Sequence, residues 1–120
     1  LSGLDLAKHD TAAALSEMET ATQVAPNDGY IAFVYGRTLL FAAKDQQALE
    51  QMKRAVSLEP YYAEPHVFLA AIYDNASYSN EAMDEYGKFL ALASQRDARV
   101  AKVKTRLDKM RADSAAGVKP

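Results

Sequence analysis

The stretch GYIAFVYGRTLLFAAKDQQALEQMKRAVSLEPYY, residues 29–62, contains two apolar-periodic segments of helical length that meet at residues 43–45. Pro60 closes the second segment, and Pro26 occupies the same place 34 residues earlier. Alanine recurs at this step of 34 residues, at Ala14, Ala48 and Ala82. A fixed period of this length, with two helices in each repeat, indicates a helical solenoid.

Two further sets of residues recur in the same register. Short side chains with a hydroxyl or carboxylate oxygen precede the second helix of each repeat, at Thr11, Asp45 and Ser79. Such oxygens accept hydrogen bonds from the first N–H groups of a helix, so we expect these residues to cap it. Small residues recur in the first helix, at Ser2, Gly36 and Ala70. We expect them to let the two helices of a pair approach closely.

Each repeat also carries a set of aromatic, small and large apolar residues. The middle repeat has Tyr35, Gly36, Leu39, Ala48, Met52, Ala55 and Pro60; the third has Leu69, Ala70, Tyr73, Ala82 and Tyr86; the first keeps Leu1, Ser2, Ala14, Met18, Ala21 and Pro26. This pattern resembles the tetratricopeptide repeat (TPR) family over residues 1–94. The resemblance implies an all-α, right-handed superhelical solenoid of antiparallel helix pairs, with about 2.5 repeats and a C-terminal capping helix.

The period divides the chain into five segments. They are residues 1–28, a truncated first repeat; residues 29–62 and 63–95, two further repeats; residues 96–112, a capping helix; and residues 113–120, a flexible tail. We predict helices over residues 11–24, 29–42, 45–58, 63–75 and 79–93, with a turn at His9 and Asp10. Gly87 inside the fifth helix costs about 1 kcal/mol relative to alanine, and indicates either close packing or mere tolerance.

The predicted capping helix has one apolar stripe, formed by Val100, Val103, Leu107 and Met110. Basic residues surround the stripe, at Arg99, Lys102, Lys104, Arg106, Lys109 and Arg111. A terminal helix needs a polar outer face because no further repeat covers it, so we interpret these residues as a solvated face. The other interpretation is a patch that binds nucleic acid or lipid.

The composition indicates a globular chain without a strong overall electrostatic field. The net charge is −2, the pI is about 5.6 and cysteine is absent. We therefore expect no nucleic acid partner and no thiolate site. No stretch approaches the 18 continuous apolar residues of a membrane span, so we also expect a soluble chain without direct membrane insertion. The compartment is unknown from the sequence, since the absence of cysteine fits the cytoplasm and the periplasm alike. Because the sequence starts inside a repeat, we also expect it to be an excised or processed piece of a longer protein.

No sequence motif for catalysis, phosphate binding or metal binding is visible. His9 lies at the predicted turn, and His66 takes an aromatic packing position of the third repeat. We therefore predict that the chain is not an enzyme and needs no cofactor or metal.

By resemblance to the family, four positions of each first helix face a concave peptide-binding groove. These are Tyr30, Phe33, Arg37 and Leu40 in the middle repeat, and Glu64, Val67, Ala71 and Asp74 in the third. The family's charged clamp for chaperone C-termini is absent, because Phe33, Arg37 and Glu64 stand where its Lys and Asn residues would be. The predicted ligand is an apolar peptide or amphipathic helix of another protein, with Arg37 pairing a carboxylate.

Two alternatives remain open from the sequence. The aromatic residues could pack on the neighbouring repeat and meet no ligand, which is the favoured interpretation for Leu40 and Phe41. The chain could also be an oligomerisation or spacer module that self-associates through exposed helical faces such as that of Leu15 and Met18.

Overall fold

The computed structural model describes the backbone of residues 3–116 and the side chains of residues 10–116. Within residues 3–116 the chain is all helical, with α1 (Gly3–Val24), α2 (Gly29–Phe41), α3 (Asp45–Leu58), α4 (Ala63–Asn75), α5 (Ser79–Leu92) and α6 (Arg99–Ala115). The chain divides into two compact units, residues 1–60 and residues 61–120. Two predicted features, the small residue Ser2 and the final residues of the flexible tail, lie outside the described residues.

In the first unit, α2 packs on α3 and α1 packs on α2. Asp28 starts α2, since its Oδ1 accepts hydrogen bonds from the N–H groups of Tyr30 at 3.0 Å and Ile31 at 3.1 Å. The predicted close approach occurs at Gly36, where an added Cβ atom would lie 3.0 Å from the Cε atom of Met52. The apolar face of α3 is fully buried, with Ala48, Met52 and Ala55 at 0% exposure.

Helix α1 differs from the sequence prediction. It runs without a break from Gly3 to Val24, so His9 and Asp10 are helical where we predicted a turn, and Thr11 lies inside the helix instead of capping one. The physical reason is local propensity. Residues 4–24 contain no glycine or proline, and the run from Ala12 to Ala14 is made of the strongest helix former.

The two helix pairs reverse direction through the same backbone turn. Ala43 and Ser77 have φ angles of 59° and 65°, in the left-handed region. After α2, the N–H of Lys44 bonds to the carbonyl of Leu39 and that of Ala43 to Leu40; the same two bonds follow α4. This is the Schellman motif. Its usual side-chain contact is present after α4, where the rings of Tyr73 and Tyr78 meet edge to face at 6.2 Å.

The predicted side-chain caps at Asp45 and Ser79 are wrong. Both residues are the first residues of their helices, and no side-chain cap bond precedes them at Lys44 or Tyr78. The tight turn leaves one residue between the left-handed position and the helix, so backbone bonds organise the reversal. Asp45 still suits the first turn, where a negative charge is favourable.

In the second unit, α4 packs on α5 and α5 packs on α6. Its core combines residues from all three helices: Ala70, Ala82, Tyr86, Phe89, Val103, Leu107 and Met110. Val100 is half-buried against this cluster, so the apolar stripe predicted for α6 is confirmed as its inward face. Helix α6 begins three residues later than predicted, because Ser94 to Asp97 form a turn.

The left-handed turns predict a stabilising substitution. We expect Ala43→Gly and Ser77→Gly each to raise the free energy of unfolding by about 0.5–1 kcal/mol. The left-handed conformation costs a residue with a Cβ atom roughly 1–2 kcal/mol, and a glycine removes this cost. The greater entropy of glycine in the unfolded chain offsets about half of the resulting gain in stability. Urea denaturation followed by circular dichroism measures the change. Ala42→Gly is the control, since Ala42 has a φ of −85° and should gain no stability. An equal gain in the free energy of unfolding for Ala42→Gly and Ala43→Gly would contradict the turn geometry.

A larger side chain should change the stability of the fold in opposite directions at Gly87 and at Gly36. A Cβ atom on Gly87 would meet only the Nη2 atom of Arg111 at 4.0 Å, so Gly87 is tolerated and not required by packing. We expect Gly87→Ala to stabilise the chain by about 1 kcal/mol. Gly36→Val should destabilise it by about 1–3 kcal/mol, because the buried side chain of Met52 must move. Thermal melts of both variants, with Gly87→Val as the matched control, test this difference.

Candidate functional site

The outward side of α2 carries two aromatic side chains and a cation on one face. Tyr30 is 59% exposed, Phe41 is 83% exposed, and Arg37 is half-buried between them. Residues spaced by seven and eleven positions lie within about 40° of arc on an α-helix, and Tyr30 and Phe41 are about 16 Å apart along its axis. We call Tyr30, Arg37 and Phe41 the α2 face.

Two of the four predicted groove positions on α2, Tyr30 and Arg37, belong to the α2 face, and the other two do not. Phe33 is 1% exposed and belongs to the interior of the fold, and Leu40 is half-buried. The packing interpretation favoured for Phe41 is wrong, since its side chain is the most exposed large apolar group of this helix. The helical period of the sequence could have predicted the exposure of Phe41, because position 41 shares a face with positions 30 and 37.

The side chain of Arg37 is held by the helix that carries it. Its guanidinium carbon lies over the ring of Phe33, 5.3 Å from the centroid. A cation over an aromatic face at this distance is attracted to the ring. Arg37 is thereby held in place, and its planar group remains partly open to solvent for a bidentate contact with a carboxylate.

The corresponding face of α4, in the second unit, is engaged by α6. Glu64 Oε1 accepts a hydrogen bond from Arg99 Nη2 at 2.6 Å, and Asp74 Oδ1 accepts one from Arg106 Nη2 at 2.6 Å. Val67 packs against the apolar core of the unit. Ala71 is the one exposed residue among the four groove positions predicted on α4.

Asp74 is the centre of this polar network. Besides the bond from Arg106 Nη2, its Oδ2 accepts hydrogen bonds from Arg106 Nε at 2.8 Å and from the Tyr86 hydroxyl at 2.9 Å. Hydrogen bonding by Arg106 is the largest of the effects that lower the pKa of Asp74. Burial, followed by the hydrogen bond to Asp74, raises the pKa of Tyr86 to about 12.

Arg99 joins the start of α6 to the start of α4. Its Nη2 also donates to Asp97 Oδ2 at 2.7 Å, and its guanidinium lies over the Phe89 ring at 5.3 Å. The hydrogen bond from Arg99 is the main cause that lowers the pKa of Asp97 to about 2. Arg99 and Arg106 are therefore structural groups, and they do not belong to the solvated basic face predicted for α6.

His66 is part of the core of the second unit. It is 3% exposed, and its Nδ1 lies 3.0 Å from Oε2 of Glu85, which is 6% exposed. Among the described residues no group of three or more His, Cys, Asp or Glu side chains could hold a metal ion. None of the helices within residues 3–116 is both long and apolar enough to cross a membrane.

Comparison with solved structures places the chain among helical repeat proteins. The translocator chaperone SycD of the Yersinia enterocolitica type III secretion system has a TM-score of 0.78, at 9% identity, over 90% of this chain and 77% of that one. Two crystal structures of MamA have TM-scores of 0.66 at 15% identity; they cover 88% of this chain and 71% and 67% of theirs. No family model and no curated protein matches the sequence.

The similarity confirms the fold class predicted from the sequence. The chain is an all-α, TPR-like solenoid of helix pairs, and its structural neighbours are helical repeat proteins of the same kind. At identities of 9% and 15%, these comparisons speak to the fold alone.

The Asp74 network predicts a pH-dependent contribution to stability. A carboxylate with a lowered folded pKa stabilises the fold above its unfolded pKa of about 3.9, and this contribution is lost as the pH falls through the folded pKa. We expect Asp74→Asn to cost about 1–2 kcal/mol at pH 7, because charge-assisted bonds to Arg106 are lost, and much less at pH 2. Urea denaturation at pH 7, 4 and 2 measures the loss in the free energy of unfolding at each pH.

Asp84→Asn is the matched control for this prediction. The Asp84 side chain is 67% exposed and pairs with Lys88 at 3.1 Å, so its removal should change stability by less than about 0.5 kcal/mol. An Asp74→Asn loss of equal size at pH 7 and pH 2 would show that the contribution is not ionic.

Proposed function

We propose that this chain is a protein–protein interaction scaffold that binds a peptide or amphipathic helix of another protein on the α2 face. The observation that carries the proposal is the exposure of Tyr30 and Phe41 on one side of a helix, with Arg37 between them. Tyrosine and arginine are enriched among the residues that dominate binding energy at protein interfaces. Single exposed apolar residues are ordinary, so the proposal is supported by the alignment of the two aromatic groups on either side of Arg37.

The spacing of the α2 face suits a helical ligand. Tyr30 and Phe41 lie about 16 Å apart along α2, which is the length of three turns of a second helix laid against it. Such a ligand needs large apolar side chains on one face and a carboxylate that reaches Arg37. The charged clamp of the chaperone-peptide binders is absent from the sequence, so the proposed ligand is apolar and acidic and need not end at a free C-terminus.

The fold gives general support to a binding role. One structural neighbour is a translocator chaperone, and helical repeat folds present helix faces in series. The proposal assigns no catalytic step to the chain. In the second unit, Arg106 and Tyr86 both donate hydrogen bonds to Asp74, so these polar groups are paired within the fold.

A helical-peptide library tests the proposal. We expect phage selection against the whole chain to yield amphipathic helices with aligned leucine or phenylalanine residues and at least one glutamate or aspartate. Fluorescence anisotropy should then show that Phe41→Ala and Arg37→Glu each weaken the selected peptide by tenfold or more, as for interface residues worth about 2 kcal/mol.

Two controls separate binding from folding. Tyr61→Ala removes an aromatic group that is 86% exposed in the second unit, and it should leave peptide affinity unchanged. Phe33→Ala should instead destabilise the chain by about 3–5 kcal/mol, since Phe33 is 1% exposed, so it does not report on binding. Selected peptides that tolerate both Phe41→Ala and Arg37→Glu would contradict the proposal.

A further inference from the structure

The outward faces of the first and last helices carry opposite charge. From Asp10 to Val24, α1 contains three acidic residues and no basic one. Helix α6 contains six basic and two acidic residues. The outer surface of α1 is therefore a source of negative potential and that of α6 a source of positive potential.

The charges on these faces have matching spacing. Asp10 and Glu17 are both exposed and lie seven residues apart, which places them about two turns apart on one edge of α1. Lys102 and Lys109 are also exposed and also lie seven residues apart, on one edge of α6. Two helices laid side by side can therefore bring both carboxylates to both ammonium groups at once.

The four side chains are available for such a contact. Among the side chains that the structure describes, Asp10, Glu17 and Lys102 take part in no ion pair. Lys109 has a loose contact with Asp113 at 3.8 Å, and its own side chain is 66% exposed. Of the remaining charges on α6, Arg99 and Arg106 pair within the second unit. Lys104, Asp108 and Arg111 are exposed and lie on the other edge of this helix.

The surfaces between the charged edges permit helices to pack closely. Exposed residues in the middle of the outer face of α1 are small or short, as are those of α6: Ala13, Ser16 and Thr20 on α1, and Ala101, Thr105 and Ala112 on α6. Helix axes approach most closely where facing side chains are small. Charged residues on the two edges then determine which face pairs with which.

We propose that copies of this chain associate head to tail, with the Asp10 and Glu17 edge of α1 in one copy against the Lys102 and Lys109 edge of α6 in the next. The occupant is a second copy because each chain carries an exposed acidic pair on α1 and an exposed basic pair on α6, both with a spacing of seven residues. The contact joins two different surfaces, so it can repeat from copy to copy, either as a closed ring or as an open series. It uses no residue of the α2 face.

The strength of this contact depends on salt. Exposed ion pairs are weak singly and are screened within about 10 Å at 0.1 M ionic strength, but within about 30 Å at 0.01 M. Sedimentation velocity of the whole chain should therefore show a weight-average mass that rises with protein concentration at about 0.01 M salt. The rise should disappear at about 1 M salt, where screening acts within about 3 Å.

Charge reversal on one face at a time tests the pairing. Asp10→Lys with Glu17→Lys, and separately Lys102→Glu with Lys109→Glu, should each abolish the concentration dependence at low salt. A chain with all four substitutions again carries opposite faces and should recover it. The control is Lys44→Glu with Lys53→Glu, two exposed sites that change the net charge equally without touching α1 or α6.

The outcomes decide the proposal. The proposal is supported if the concentration-dependent rise in mass is lost in each single-face variant and recovered in the fourfold variant, with unchanged melting temperatures. A wild-type chain that stays monomeric at low salt, association that persists at about 1 M salt, or a fourfold variant that fails to recover would each overturn it.

Discussion

The fold depends on close contact between the two helices of each pair, through residues with little or no side chain. Gly36 in α2 faces the buried side chain of Met52 in α3, and Ala70 in α4 is as fully buried as Ala82 in α5. A methyl group added at Gly36 would lie 3.0–3.2 Å from atoms of Met52, so that side chain would have to shift in a densely packed interior. Close contact also requires a sharp reversal between the helices, and a left-handed residue supplies that reversal in both pairs.

On this common framework, a few side chains give the two units different surfaces. In the second unit, the carboxylates of Glu64 and Asp74 accept hydrogen bonds from Arg99 and Arg106, so the charges on α4 are neutralised by α6. A partly buried charge is tolerated in a protein when it is paired in this way. The first unit has aromatic and apolar groups in the equivalent register, and Phe41 remains exposed. The surface chemistry of a helix pair therefore depends on its outward side chains and not on its backbone.

Local periodicity predicted the helices well and the surfaces poorly. The predicted bounds of α3 and α4, residues 45–58 and 63–75, are those of the structure, because an apolar stripe and a terminal proline or turn are properties of neighbouring residues. Two of the wrong predictions had a local signal in the sequence. Residues 4–24 contain no glycine or proline that would interrupt α1, and position 41 shares a helical face with positions 30 and 37. The pairs Glu64–Arg99 and Asp74–Arg106 join residues more than 30 positions apart, and no local pattern signals them.

Chemical-shift mapping would show whether the α2 face is a protein-binding surface on a rigid helix pair. The ¹⁵N-labelled chain would be titrated with an amphipathic helical peptide that carries leucines on one face and a glutamate among them. We expect shifts confined to amides around Tyr30, Arg37 and Phe41, with those of α3 unchanged at Ala48 and Met52. Shifts confined to α6 or to the interhelix turns, or no shifts at millimolar peptide, would contradict the proposed binding surface.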